Sequence, residues 1–320
     1  MLYEVASDDF TMKKKGIIDL PGGTLGSDHA ESLYRHLERT LADTSQAPLR
    51  VNCESIGFVH PAGVIGLITA ARIWHRTRKR KVLLENLQPQ VHAYLERIDI
   101  FKECAEFIET TSDLNDTDRF SRSAASSTVL EVTPISGEVD ENARDVEHTI
   151  ARTRKILSVH YGADHSRLHE LLNLTSELAQ NVVHSGDHGY ITAQGYSYTN
   201  GNRVALAISD TGIGIEQSLR DSHASSRAWK GTPATGSDHI LLALEEGVTS
   251  LPASRGMGLY IVRSIVQQWR GTLVIRSASS KVRIQHPFIA KEDHLPYIPG
   301  TQVTITARGK YSDGVLASQP

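Results

Sequence analysis

Three short segments in the second half of this 320-residue chain restrict its fold more than any property of the whole. The first is Glu177-Leu-Ala-Gln-Asn181-Val-Val-His184, on a predicted helix from Leu168 to His184. The second, Asp210-Thr211-Gly212-Ile213-Gly214, follows the strand-like run Arg203-Val-Ala-Leu-Ala-Ile-Ser-Asp210. The third, Arg255-Gly256-Met257-Gly258-Leu259, opens a second apolar helix. Singly, each has an ordinary explanation: a solvated helix face, a tight turn, a loop before a helix. Their order along one chain is what makes them informative.

Residues four apart share a helix face, stacked about 5.4 Å apart. Glu177 and Asn181 therefore point the same way, with His184 a further turn along. An amide oxygen is a hard ligand suited to Mg²⁺. A nearby carboxylate can orient or deprotonate an attacking hydroxyl. Gly212 and Gly214 permit positive φ and close backbone approach. Asp210 is then free to accept a hydrogen bond from an exocyclic amine such as that of adenine. Gly256 and Gly258 put backbone N–H groups where a helix begins, a favourable place for an anion. Together the segments describe a nucleotide pocket with a magnesium site and a general base.

The surrounding pattern supplies the scaffold. Thr128-Val-Leu-Glu-Val reads as a strand and Val139 to about His160 as an amphipathic helix. Gly189–Tyr196 and Arg203–Asp210 read as strands joined by the hairpin signal Thr199-Asn-Gly-Asn. Thr272–Ser277, Lys281–Gln285 and Thr301–Thr306 complete a mostly antiparallel sheet. Helices on one face of it make a two-layer α/β sandwich.

This constellation resembles the GHKL ATPases, a group that includes gyrase, the histidine kinases and the anti-sigma-factor serine kinases. The resemblance covers roughly residues 130–308. The stretch from Thr149 through Asn181 is most similar to the anti-sigma kinase branch. The resemblance implies ATP and Mg²⁺ as cofactors. It implies Glu177 as catalytic base, Asn181 as magnesium ligand and Asp210 as the acceptor of the adenine amine. Gly212 and Gly214 would flank that acid, Thr301 would support it, and Gly256 and Gly258 would contact phosphate.

Composition sets outer limits. The chain is long enough for two ordinary domains. Its 39% hydrophobic and 22% charged residues fit a globular protein. A formal charge of −3 gives no reason to expect direct nucleic-acid binding. The N-terminus does not read as a signal peptide, and the most apolar stretch, Val64–Ala71, is too short for a bilayer. With two cysteines in apolar settings, Cys53 and Cys104, the expectation is free thiols, no membrane and a cytoplasmic location.

The polar run 111–128 reads as a linker, and 309–320 as a disordered tail. That leaves a domain over 1–110 and another over 129–308. In the first, Leu49–Ile56 and Lys81–Leu87 read as strands, and Pro61 to Arg78 and Val91 to Ile98 as helices. Such alternation implies an α/β sheet. Phe58-Val59-His60-Pro61-Ala62-Gly63 and Leu84-Glu85-Asn86-Leu87-Gln88-Pro89 resemble the STAS domains of anti-anti-sigma factors. Where that family has an acceptor serine, this chain has His60, Pro61 and Ala62, and no hydroxyl. The resemblance implies a degenerate STAS module for contact or sensing, with a regulatory protein partner that is STAS-like or sigma-like. Anti-sigma kinases commonly dimerise, which leaves a homodimer open.

Between Ile215 and Gly256 the expectation is a lid, carrying His223, Arg227 and Lys230 and a short helix from Asp238 to Glu246. The basic run Arg72–Lys81 reads as the solvated end of a helix, where cations suit the dipole. His165 with His169, and His184 with His188, read as structural or surface histidines. The function these readings imply is an anti-sigma-type serine/threonine protein kinase. The alternatives are a nucleotide-gated switch or ATPase, or a histidine-kinase remnant using His148.

Overall fold

The structure, a computed structural model, describes residues 17–43, 48–113, 128–136, 147, 149–156, 158, 165–196, 203–221, 233–250 and 257–308. Its N-terminal elements run β1 (Ile17–Asp19), β2 (Gly23–Leu25), α1 (Ser27–Ala42), β3 (Leu49–Asn52), β4 (Ile56–Val59), α2 (Pro61–Arg78), β5 (Val82–Glu85), α3 (Pro89–Arg97), α4 (Ile100–Glu103) and β6 (Ile108–Thr110). Strands β1, β3, β5 and β6 pair in that order as a parallel sheet, and β2 pairs with β4. Alternating strands and helices produce parallel pairing because each crossover helix returns the chain to the same sheet end.

The C-terminal elements are β7 (Val129–Ile135), α5 (His165–His184), β8 (Gly189–Tyr196), β9 (Arg203–Asp210), α6 (Gly214–Asp221), α7 (Gly236–Ala243), α8 (Gly258–Gln268), β10 (Thr272–Ala278), β11 (Ser280–Gln285), β12 (Phe288–Glu292) and β13 (Ile298–Arg308). Residues 149–156 are also helical. The strands form one antiparallel seven-stranded sheet in the order β12-β11-β10-β13-β9-β8-β7. Mixed α/β architecture is therefore as the sequence predicts. Elements it did not predict are the short strands β1, β2, β4, β6 and β12 and helices α1, α4 and α6, and the expected strand Leu49–Ile56 ends at Asn52. The hairpin signal at 199–202, most of the linker and the tail lie outside the described residues.

Helix α2 organises the N-terminal half. Pro61 suits its first turn because the missing N–H is one that a helix leaves unpaired anyway. The His60 ring Nδ1 accepts the Ala62 N–H at 3.2 Å and serves as the cap. Burial pushes the His60 imidazole down to about 4, so it stays neutral and able to accept. The helix is buried continuously from Pro61 to Arg72 and again at Trp74. A helix apolar on all sides needs neighbours on all sides. On one side these are β2 and α1: a Cβ on Gly63 would lie 2.2 Å from the Leu25 carbonyl oxygen, and one on Gly66 2.3 Å from the Ala30 Cβ.

On its other side α2 packs against strands β8 and β9 of the seven-stranded sheet. Strand β9 is buried on both faces. Val204, Leu206 and Ile208 join α5 and α8 in the C-terminal core, whereas Ala207 belongs to the core built around α2. Tyr34 accepts a 2.6 Å hydrogen bond from Gln302, Arg276 pairs with buried Glu31 at 3.1 Å, and Val132 N–H donates to the Ile98 carbonyl. Within the C-terminal residues helices cover one face, as the two-layer expectation has it. Helices from the N-terminal half add a layer on the other face.

Cys53 and Cys104 are free and buried, as expected, and burial pushes the Cys53 thiol up to about 12. Among the described residues no helix is long and apolar enough to cross a membrane.

Gly63→Ala tests the α2 contact. Helix propensity alone favours alanine by about 1 kcal/mol, but a Cβ pressed on the β2 backbone costs about 1–3 kcal/mol. The expected outcome is a lower urea midpoint. An unchanged or higher midpoint would show that α2 does not lie against β2.

Candidate functional site

Helix α5 buries Leu171, Leu174, Leu178 and Val182 along one stripe, at helical spacing, against the sheet. That stripe turns Glu177, Asn181 and His184 toward a cleft bounded by the end of β9 and the starts of α6 and α8. Glu177 is half-buried and Asn181 exposed to the opening. A Cβ added to Gly258 would lie 2.7 Å from the Glu177 Oε2, so this carboxylate sits against the first turn of α8. Unpaired N–H groups and the positive end of the helix dipole make such a turn a place for negative charge.

Asp210 closes the floor of the cleft and is only 6% exposed. Burial pushes its carboxyl up to about 6, against hydrogen bonds from Gly212 N–H, the Ser185 side chain and the Thr301 backbone that favour the ionised form. The Gly212 N–H reaches Oδ1 at 2.8 Å. The turn is packed so closely that side chains are excluded. A Cβ on Gly212 would lie 2.1 Å from the Ser185 carbonyl oxygen, and one on Gly300 2.3 Å from that of Asp210. Gly214, at φ +77°, starts α6, whose Ile215 N–H donates to the Ser277 Oγ at 2.9 Å; that hydroxyl donates in turn to the Gly300 carbonyl.

The structure therefore gathers Glu177, Asn181, Asp210, Gly214, Gly258 and Thr301 around one cleft. Gly212 stands behind the acid as an N–H donor and does not line the cleft. Gly256 lies outside the described residues, as do His148, His223, Arg227 and Lys230. Sequence reading missed Ser185, Ser277 and Gly300. Gly300 had a signal, a glycine immediately before Thr301 in the terminal strand. The two serines had none, since serine is common on any loop or strand end.

The segment expected to be a lid is anchored in its described parts. Helix α7 has a capping box, with the Asp238 N–H on the Thr235 hydroxyl and the Thr235 N–H on the Asp238 carboxylate. Asp293 accepts from the Ser237 N–H, the Ser237 hydroxyl and the Ser280 hydroxyl, tying α7 to β11. Leu219, Leu242, Ala243 and Val248 form a small apolar cluster with Ile215 and Leu259 beside the cleft. This wall suits a flat ring, with half-exposed Ile213 at the rim. Among the described residues no cluster of three or more His, Cys, Asp or Glu is arranged to hold a metal ion.

Residues 166–308 match the family model for histidine kinase-, DNA gyrase B-, and HSP90-like ATPases. That region, rather less than half of the chain, contains every described residue of the cleft. The match supports a GHKL-type ATPase domain over that region, and members of that family are ATPases or kinases. No curated protein matches the chain.

Asp210→Asn separates the cost of the acid from its use. A carboxyl whose folded value is raised favours the folded state below its unfolded value, near 4, and loses that advantage as pH rises through about 6. The shift corresponds to roughly 3 kcal/mol. Without nucleotide, the variant's melting temperature should exceed the parent's at pH 8 and lose its decline between pH 4 and 7. Its ATP affinity should fall by about tenfold or more, because an amide nitrogen faces the ring amine. A parent melting temperature that rises across that pH range after other titrations are subtracted would contradict the assignment.

Proposed function

We propose that the chain is an ATP-binding regulatory protein with two domains, a STAS-like module over 1–110 and the ATPase domain over 129–308. In this reading it acts as an anti-sigma-type serine/threonine protein kinase. The observation that carries the nucleotide site is the buried Asp210, ringed by the Gly212 N–H, Ser185 and Thr301, at the floor of a cleft whose other walls carry Asn181, Glu177 and Gly258. A buried acid facing an open apolar cleft fits an adenine amine. An amide and a helix start one side chain away fit a metal-bound phosphate chain.

Asn181 would hold the magnesium ion, which when bound neutralises charge on the phosphates. Glu177, set between that amide and the α8 start, would orient a hydroxyl and take its proton. Catalysis of this kind rests on positioning and on charge stabilisation. Glu177→Ala should leave ATP affinity within about threefold while lowering turnover by about 10²-fold or more. Equal loss of both would make Glu177 a structural residue.

A second reading is favoured by one observation. His60, at the place of the missing acceptor hydroxyl, is half-buried, caps α2 and stacks on Tyr196 with ring centroids 6.1 Å apart. His60, Pro61 and Ala62 offer no hydroxyl, and the His60 ring is engaged by Ala62 N–H and Tyr196, which fits a nucleotide-gated contact in place of phosphorylation in cis. Incubation with γ-labelled ATP and a cell lysate separates the two. Label on a protein supports the kinase; free phosphate alone supports an ATPase switch. Acid-labile label on His148 would revive the histidine-kinase alternative.

A further inference from the structure

Helix α2 presents Thr69, Arg72 and Arg76 on one face, at spacings that align side chains along a helix. All three reach into the C-terminal residues, and all three land beside Asp210 in sequence or in space. The Thr69 hydroxyl donates to the Ser209 hydroxyl at 3.2 Å, one residue before the acid. The Arg76 Nη1 donates to the Thr211 Oγ1 at 3.0 Å, one residue after it. Arg76 also grips Asp187 with both arms, at 2.5 and 2.7 Å, and Thr211 donates to the same carboxylate at 2.6 Å. Arg72 adds bonds to Asp187 and to the His188 carbonyl.

Asp187 belongs to the α5–β8 loop, and so does Ser185. Ser185 bonds the Asp210 carboxyl, accepts the Ile213 N–H and packs against Gly212. One loop is thus held by two arginines from the N-terminal half and itself holds the acid. The setting is dry enough for these bonds to matter: Thr211 is 7% and Arg72 8% exposed. Burial alone would raise the Asp187 carboxyl; the Arg76 and Thr211 hydrogen bonds and the Arg72 charge outweigh it and hold it far below the usual carboxylate range. A planar, two-armed guanidinium fixes a carboxylate's orientation in a way that a lysine cannot.

We propose that Arg76 is a positioning residue of the nucleotide site: through Asp187 and Thr211 it fixes the turn carrying Asp210, so that docking of the N-terminal half and binding of nucleotide are linked. Arg76 does not line the cleft. It acts on the ligand only through the turn. Linkage is reciprocal, so nucleotide also tightens the docking of α2. This inference rests on the nucleotide reading above.

The test is calorimetric titration of the full chain with magnesium and a non-hydrolysable ATP analogue, for the parent, Arg76→Ala, Thr211→Val and the double variant. Arg76 is half-exposed, so its loss should leave melting without nucleotide within a few degrees of the parent. Affinity should fall on the order of tenfold. The double variant should be no weaker than the weaker single one, since both changes break one connection. Arg76→Lys, which keeps charge but not the fork, should fall between parent and Arg76→Ala, and it replaces that variant if the alanine change prevents folding. Amide exchange at 211–213 should rise in Arg76→Ala. A parent that binds the analogue and an Arg76→Ala that binds it equally well would overturn the linkage and leave the nucleotide site standing. A parent that binds no nucleotide removes both.

Discussion

The structure depends on a carboxylate kept at the end of a strand that is buried on both faces. Burying an acid is costly unless hydrogen bonds reach it. Asp210 receives them from three directions: its own turn, the α5–β8 loop and the start of the last strand. Each donor demands close approach, and glycines at 212 and 300 make room for it. The antiparallel pairing of β9 with β13 brings Thr301 beside the acid, and the pairing of β8 with β9 brings the α5–β8 loop there. The cleft is the remaining open side of this cage. A carboxylate oxygen has two lone pairs, so an acid facing this cleft can accept a further bond from a ligand.

Much of this was legible from residue spacing. The Glu177/Asn181 pair declared its shared face because a helix repeats every 3.6 residues or so, and α5 obeys that repeat through Leu171, Leu174, Leu178 and Val182. Pro61 marked the start of α2 correctly. What was not legible depended on contacts distant in sequence. Ser185 and Asp187 look like loop residues until β8 pairs with β9 and brings them to the acid. Helix α1 and the first strands lacked the motifs that marked later elements. Helix α6 was read as part of a lid because Asp-x-Gly-x-Gly signals a turn and is silent about the conformation of the residues after it.

The basic run Arg72–Lys81 fits the expectation of a solvated helix end only in part, for a related reason. Cations at a helix end have an ordinary explanation in the dipole, and Arg78 does reach the carbonyls at the end of α1. Arg72 and Arg76 instead point across to Asp187. One helix thus uses neighbouring arginines for two tasks, and only the position of the sheet distinguishes them. A clue was available in β9. Its unbroken apolar run, Val204 to Ile208, is the pattern of a strand covered on both sides, whereas a two-layer fold calls for alternation.

That double covering carries an evolutionary consequence. Fused modules usually drift apart freely, since a tether transmits little. Here Thr69, Arg72 and Arg76 of α2 are answered by Ser209, Asp187 and Thr211 on the other half, and a replacement on either side would need an answering change on the other. Descendants of this chain should therefore inherit its halves as a set, and shuffling one of them onto a foreign companion would forfeit the fit.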